Sequence, residues 1–403
     1  MKIALFTDTF YPQLNGVAAS VLTLQNNLAA LGHQVYVVTT TDPEAPPGET
    51  TVVRLPSLPV PHLRERRIGM FYHPRLARLI RSWELDLIHT HTEFCLGSFG
   101  RYLARDLQIP LLHSMHTIYE DYTHYLAKLA KLRMLSGLAK AAARKISADF
   151  CNSADHVIVP TDKVRDLMRS YGVWREIATV PSGILVEKFA GGQEDPSDRE
   201  ALRADLGIKA GERVLLYIGR LAEEKNLTEL LRDLATYLTA QDNIRLLLIG
   251  DGPDRGRLED LAASLGIGSR AIFAGARPWD EIERYYRLGD VFVNTSQSES
   301  QGLTYIEAMA AGLPVVAKAD RCLDGVLEDG KNGYAFQDQA GMLTALDLIL
   351  GDDAARELLA QRARQTARRF SAAGYGERVA ELYQAVLAAG KGYQAAKRYQ
   401  KVS

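Results

Sequence analysis

The chain has 403 residues, of which 47% are hydrophobic and 24% charged, and a net charge of −1. That length exceeds one comfortable hydrophobic core and points to two units, while the composition excludes the disordered, fibrous and collagen-like classes. Three separated cysteines, Cys95, Cys151 and Cys322, form no CxxC or Cys/His pattern; this excludes a disulfide framework and a zinc knuckle and fits a reducing compartment.

The opening apolar run meets Asp8 and Pro12 too early for a signal peptide, and no window has the length of a membrane span, so any membrane association is expected to be peripheral. Short β-branched runs then alternate with segments of helical period, the pattern of βα units in parallel sheets. Strands are predicted at Lys2–Thr7, Val35–Thr40, Leu85–His89, Pro110–His116, His156–Pro160 and Ile177–Pro181 in the first half. The second half has them at Val214–Ile218, Arg245–Ile249, Ala271–Ala274, Val291–Asn294 and Pro314–Ala317. Between Pro181 and Gly211 strand character is lost and Gly, Pro and acidic residues gather, which marks the join.

The expected fold class is therefore α/β, with two Rossmann-like doubly wound parallel sheets facing across a cleft. Residues 1–185 form a first domain, 186–371 a second, and 372–403 a helical tail that crosses back to the first. Before and including Leu185 there are 20 Lys and Arg against 16 Asp and Glu; after it, 28 against 33. The two halves are expected to face different partners.

Doubly wound sheets bind ligands at the carboxyl ends of their strands, so loops following strands carry the chemistry. After the strand VFVN, the string SQSESQGLTYIEAMAAGLPVVA holds Glu299 and Glu307 with Gly302 between them. A helix starting near Leu303 turns the amides of Gly302, Leu303 and Thr304 outward, a setting that favours an anion such as a diphosphate by up to about 2 kcal/mol. Glu307, on the first turns, can accept two ribose hydroxyls, and Glu299, on the loop, suits a donor sugar.

In LLYIGRLAEEKN, Arg220 and Lys225 follow another strand. Two cations there can offset a diphosphate without a metal, at roughly 1.5–3 kcal/mol per charge-assisted hydrogen bond; the plain alternative is a solvated pair balanced by Glu223 and Glu224. Near the N-terminus, Gly16 lets the backbone approach a ligand, and the absence of GxGxxG argues against a nicotinamide cofactor. LLHSMHTIYEDYTHY supplies His113, His116, Tyr119, Asp121 and His124 after a strand. No HExxH zinc pattern is present, no metal is expected, and His116 is placed to hydrogen-bond a sugar. His89 and His91 also end a strand, and one of them is expected to turn into the core.

Together these strings, with TDTFYPQLNGVA, LIHTHTEFCLG, PSGI and LLIGDGP, resemble glycosyltransferase family 4, whose members are retaining GT-B enzymes, over essentially the whole chain. The resemblance implies that Glu299 contacts the donor sugar, Glu307 the ribose, and Arg220 and Lys225 the diphosphate. It implies that His116 lies beside the reacting centre, that amides near Gly16 and Leu303 approach the phosphates, and that backbone around Arg277 meets the nucleobase. Many relatives have Asp where this chain has Leu185. FYPQLNGVAASV and HTIYEDYTHYL look most like the bacterial 1,2-diacylglycerol 3-glucosyltransferases, which use UDP-glucose and make the monoglucosyl lipid that anchors lipoteichoic acid. Mannosyltransferases acting on phosphatidylinositol are the near alternative.

A lipid acceptor also follows from charge. Between Asp121 and Asp149 there is no acid, but Lys128, Lys131, Arg133, Lys140, Arg144 and Lys145 alternate with leucines and Met134 at helical spacing. Arg64, Arg66, Arg67, Arg75, Arg78 and Arg81 precede them. At about 1 kcal/mol per basic residue near the surface, such a face holds a domain reversibly on the anionic cytoplasmic face of a membrane. No nucleic-acid module accompanies the charge. No cofactor beyond the UDP-glucose donor is expected, and the expected reaction is same-face replacement, with the departing phosphate taking the proton of a diacylglycerol hydroxyl. A nucleotide-sugar epimerase and a non-catalytic lipid-binding module are the rival classes.

Overall fold

The structure is a computed structural model that describes residues 1–400 except 14, 61–62, 123–135 and 192–195. His124, Lys128, Lys131 and Arg133 lie outside the described residues. The chain divides into two compact units, Met1–Gly183 with Ala372–Ser403, and Ile184–Ser371.

In the first unit, β1 (Lys2–Phe6), β2 (Gln34–Thr40) and β3 (Val52–Leu55) lie on one side of the switch point. A hairpin of β4 (Ser57–Val60) and β5 (Leu63–Gly69) follows, and then β6 (Leu87–Thr90), β7 (Leu111–Ser114), β8 (His156–Val159) and β9 (Ile177–Thr179). The main sheet has the order β3-β2-β1-β6-β7-β8-β9 and is parallel throughout. The period of two along β1 decides its packing. Ile3 and Leu5 go to one face, with Val21, Leu24 and Leu28 of the Gly16–Ala30 helix and Tyr375, Val379 and Tyr383 of the Ala372–Gln400 helix. Ala4 and Phe6 go to the other, with Leu96, Phe99 and Leu103 of the Cys95–Leu107 helix.

That last helix sits unusually close to the end of β6. A Cβ at Gly97 would overlap the Thr92 carbonyl, and one at Gly100 would press on Thr90 and Phe6. The two glycines let the helix hold the segment Thr90–Glu93 in place.

The second unit contains β10 (Arg213–Ile218), β11 (Ile244–Ile249), β12 (Ala271–Gly275), β13 (Val291–Asn294), β14 (Val315–Lys318) and β15 (Gly333–Phe336). Their order is β12-β11-β10-β13-β14-β15, again all parallel. Val214, Leu216 and Ile218 enter one core, Leu215 and Tyr217 the other. The switch points fall between β1 and β6 and between β10 and β13, and those strand ends carry the histidines and the Lys225 and Glu299 loops respectively.

Four strands escape the apolar-run reading. β3 and β15 are edge strands of four residues with partly exposed positions. β4 and β5 form an antiparallel pair outside both main sheets, and LRERRIG is too charged to register as an apolar strand.

Candidate active site

The C-terminal ends of β10 and β13 are neighbours, so two loops distant in sequence meet. The loop after β10 carries Arg220 and a 3-10 turn at Glu223–Lys225. The loop after β13 runs from Thr295 to Gln301 and enters the Leu303–Ala310 helix. Lys225 Nζ lies 2.6 Å from Glu299 Oε1, both side chains largely covered. Thr295 Oγ1 donates to the Asn226 carbonyl at 3.0 Å and Ser298 Oγ to the Glu224 carbonyl at 2.9 Å. These bonds fix the loops to each other, and the ion pair of Lys225 with Glu299 crosses between them.

Gly302 begins the helix at φ 74°, the left-handed region, and a Cβ there would overlap the Tyr305 ring. Tyr305, Ile306, Ala308, Met309 and Ala310 are buried, which leaves Leu303, Thr304 and Glu307 on the less covered face, Glu307 at i+4 from Leu303 and i+3 from Thr304. Tyr286 Oη donates to Glu307 Oε2 at 2.6 Å. Burial raises the Glu307 carboxyl above the usual range, and the Tyr286 hydrogen bond and the charge of Lys188 act against that rise.

Sequence reasoning missed a supporting group beside Glu307. Lys188, on the Val186–Ala190 helix, lies 3.5 Å over the Trp279 ring, donates to the Trp279 carbonyl and is 3.6 Å from Glu283. Burial lowers its ammonium below the ordinary lysine value. Arg277, on the loop after β12, sits 5.3 Å over the Tyr285 ring. Tyr285 and Tyr286 are adjacent on the Ile282–Tyr286 helix, so one short element carries both the Arg277 contact and the Glu307 hydrogen bond. The motif GDGP also has a structural role: Cβ atoms at Gly250 and Gly252 would overlap the carbonyls of Gly219 and Leu221, and Leu221 N donates to the Asp251 carbonyl at 2.9 Å. This packing shapes the Arg220 loop.

In the first unit, Gly16 is exposed and is the first residue of its helix; Asn15 Oδ1 caps it by accepting from Ala18 N at 3.0 Å. His116 follows β7. His91 Nδ1 and His116 Nε2 are 3.0 Å apart, with the rings nearly stacked. Burial, and then the neighbouring His113, push His116 down to about 3, and burial among His89, His116 and His113 holds His91 well below the ordinary histidine value. Both His89 and His91 are buried, at 0% and 1% exposure, which corrects the expectation that only one turns inward. His89 is held by Tyr383 Oη at 2.6 Å and Ser114 Oγ at 2.8 Å, and His113 by Thr90 Oγ1 at 2.9 Å and Glu93 Oε1 at 3.3 Å. Asp8, at the end of β1, accepts from Thr92 Oγ1 at 2.5 Å and Leu96 N at 3.1 Å, and burial raises its carboxyl to about 6. Among the described residues no cluster of His, Cys, Asp and Glu has the arrangement of a metal site.

Tyr119 packs edge-on against Phe94, with ring centres 5.2 Å apart, and the Asp121 amide donates to the Ile118 carbonyl at 3.1 Å. The basic surface is less free than its sequence indicates. Arg144 grips Glu120 with Nε–Oε2 at 2.8 Å and Nη2–Oε1 at 2.5 Å, and Tyr171 Oη donates to the same carboxylate at 2.7 Å. These bonds hold the Glu120 carboxyl down to about 2. Lys145 pairs with Asp149 at 3.0 Å. Both acids lie just beyond the acid-free core of the stretch, which is why counting inside it overstates the free charge. Lys140, Leu138 and Ile146 are all exposed on the Ser136–Ser153 helix, the last two at 67% and 47%. Arg67 is spent on Ser57 and Arg81 on Asp106.

Comparison with known proteins bears on the same regions. Residues 14–188 match the model of Glycosyltransferase Family 4, and residues 198–366 that of Glycosyl transferases group 1. The chain is 36% identical over 387 residues to the alpha-monoglucosyldiacylglycerol synthase of Streptococcus pneumoniae, covering 95% of this chain and 85% of that protein. It is 33% identical to the protein of the same name from Acholeplasma laidlawii, covering 83% and 85%. The structure of Anabaena HepE with UDP and glucose superposes with a TM-score of 0.75 at 20% identity, covering 96% of this chain and 100% of that one, and shares its GT-B fold.

Proposed function

Because this chain belongs to glycosyltransferase family 4 and is a hexosyltransferase of GT-B architecture, we propose that it moves glucose from UDP-glucose to the 3-hydroxyl of a 1,2-diacylglycerol, with retention of anomeric configuration. The observation that carries this reading is the meeting of Lys225, Glu299 and the Leu303–Ala310 helix at the switch point of the second sheet. In it, Arg220 and Lys225 take the diphosphate with the amides of Gly302, Leu303 and Thr304. Glu307 takes the ribose hydroxyls, backbone at Arg277 the base, and Glu299 the sugar. His116 and the helix start at Gly16 serve the donor from the first unit. The cations do the work a divalent metal does elsewhere, so no metal is required.

The acceptor oxygen forms its bond to the anomeric carbon on the face from which the diphosphate leaves; the bond from that carbon to the phosphate oxygen breaks, and the acceptor proton passes to that oxygen. Orientation and stabilisation of the leaving charge supply the rate. Tyr119 and Asp121 lie on the acceptor side, and the exposed Lys140 with Leu138 and Ile146 continues the basic, leucine-rich sequence of Lys128, Lys131 and Arg133 onto an anionic surface. No helix among the described residues is long and apolar enough to cross a membrane, and we place the protein peripherally at the cytoplasmic face. The product is a glycolipid of the kind that anchors lipoteichoic acid, and names of two similar proteins support the lipid acceptor.

The test is UDP release from UDP-glucose with and without diacylglycerol vesicles. Release that depends on the lipid supports the reading. UDP released at the same rate without lipid is hydrolysis and overturns it, and so does isomerisation of the UDP-sugar with no UDP released, the behaviour of an epimerase.

A further inference from the structure

Of the three buried histidines around the end of β6 and β7, His89 and His113 have both ring nitrogens partnered. His91 does not. Among the described residues its Nε2 is buried without a hydrogen-bond partner, and its one ring hydrogen bond goes to His116. A buried polar atom left without a partner costs free energy, so a histidine kept in this state needs a reason beyond packing.

We propose that His91 is a positioning residue for His116: its Nδ1–H donates to His116 Nε2, fixes that ring at the end of β7 and leaves the proton of His116 on Nδ1. The tautomer follows from counting donors. Both rings are held neutral by burial, so each carries one N–H. Were the His91 proton on Nε2, a buried N–H would be orphaned, the rarer and more costly defect. With the proton on Nδ1, only a lone pair is unmatched, and His116 Nε2 must accept. His116 then presents Nδ1 as its donor, the form that hydrogen-bonds a sugar hydroxyl oxygen.

His91 is itself immobilised. It directly precedes Thr92, which is bound to Asp8, and its amide donates to the Phe6 carbonyl at 2.8 Å. The Cys95–Leu107 helix closes on the same segment through Gly97. The position of His116 is thereby tied to the switch point of the first sheet. Any effect on turnover rests on the glucosyl-transfer reading, but the tautomer does not.

Two measurements on the full-length chain decide it. In ¹⁵N-histidine NMR spectra, with His116 assigned by its loss in His116→Asn, the wild type is expected to show protonated Nδ1 and bare Nε2. His91→Leu should give a mixture of tautomers, while His91→Asn, whose amide nitrogen replaces the Nδ1 donor, should keep the wild-type form. For turnover, His91→Leu should lower kcat by roughly tenfold to a hundredfold with little change in donor KM, and His91→Asn should recover most of it. A wild-type His116 protonated on Nε2 overturns the proposal. Equal tautomers and equal kcat in wild type and His91→Leu overturn it as well. If His91→Leu fails to fold, the wild-type and His91→Asn spectra still decide. A chain that transfers no sugar under any condition defeats the function reading and leaves the NMR result standing.

Discussion

Lys225 and Glu299 are 74 residues apart in sequence and 2.6 Å apart in space, one on the loop after β10 and the other on the loop after β13. The same two side chains are assigned to the diphosphate and to the sugar, so each affects the other. Lys225→Met should weaken UDP binding by roughly tenfold to a hundredfold, the worth of a charge-assisted hydrogen bond. Glu299→Gln should leave UDP affinity unchanged or tighter, because it removes the carboxylate charge that competes with the diphosphate for Lys225, and still depress transfer. Titration calorimetry with UDP checks both; equal UDP affinity in Lys225→Met and wild type contradicts the assignment.

Gly302→Ala places a Cβ in the left-handed region and against the Tyr305 ring. The strain is at least about 1–2 kcal/mol, and it acts on the loop that orients the first helical amides. Chemical denaturation should show the loss, and UDP affinity should fall with it. A stable variant with native UDP affinity would show that the turn has no part in holding the phosphates.

Asp8 gives a stability effect whose sign can be worked out. Its carboxyl is raised from 3.8 to about 6 in the folded chain, chiefly by burial, so the folded state binds more protons than the unfolded state between those values. The contribution of this group to stability is therefore present at low pH and is lost as pH rises from about 4 through about 6. Asp8→Asn removes the titration but retains polar partners for Thr92 and Leu96. Urea midpoints should show Asp8→Asn gaining on wild type across that window, and a constant difference between them contradicts the burial.

Leu185 occupies the N-cap of the Val186–Ala190 helix and makes no side-chain cap. Leu185→Asp should stabilise the second unit by about 1 kcal/mol, seen as a rise in Tm of about 2–4 °C. No change would mean that the local backbone turns the carboxylate away from the amides.

Most of the strands could be read from sequence because buried parallel strands are apolar on both faces, as Ile3, Leu5, Ala4 and Phe6 show. The positions of Glu299, Gly302 and Glu307 were readable too, since one string fixes loop, turn and helix. Pairings across the sheet were not. Lys225 meets Glu299 because β10 and β13 are neighbours, a fact of topology that spacing does not contain. The edge strand Gly333–Phe336 and the charged LRERRIG strand lack the apolar pattern because edges and hairpins outside the sheet need not be buried on both faces. Arg144 looked free because its partner Glu120 lies just outside the stretch being counted. The pairing of His91 with His116 depends on which way two rings turn at adjacent strand ends, and nothing in LIHTHTEF specifies it.

The central claim is tested most directly by mass spectrometry of the lipid products formed from a panel of UDP- and GDP-sugars with diacylglycerol vesicles. The account predicts one dominant product, diacylglycerol carrying a single hexose, formed from UDP-glucose. A product formed only from GDP-mannose, or only with an acceptor other than diacylglycerol, would contradict it.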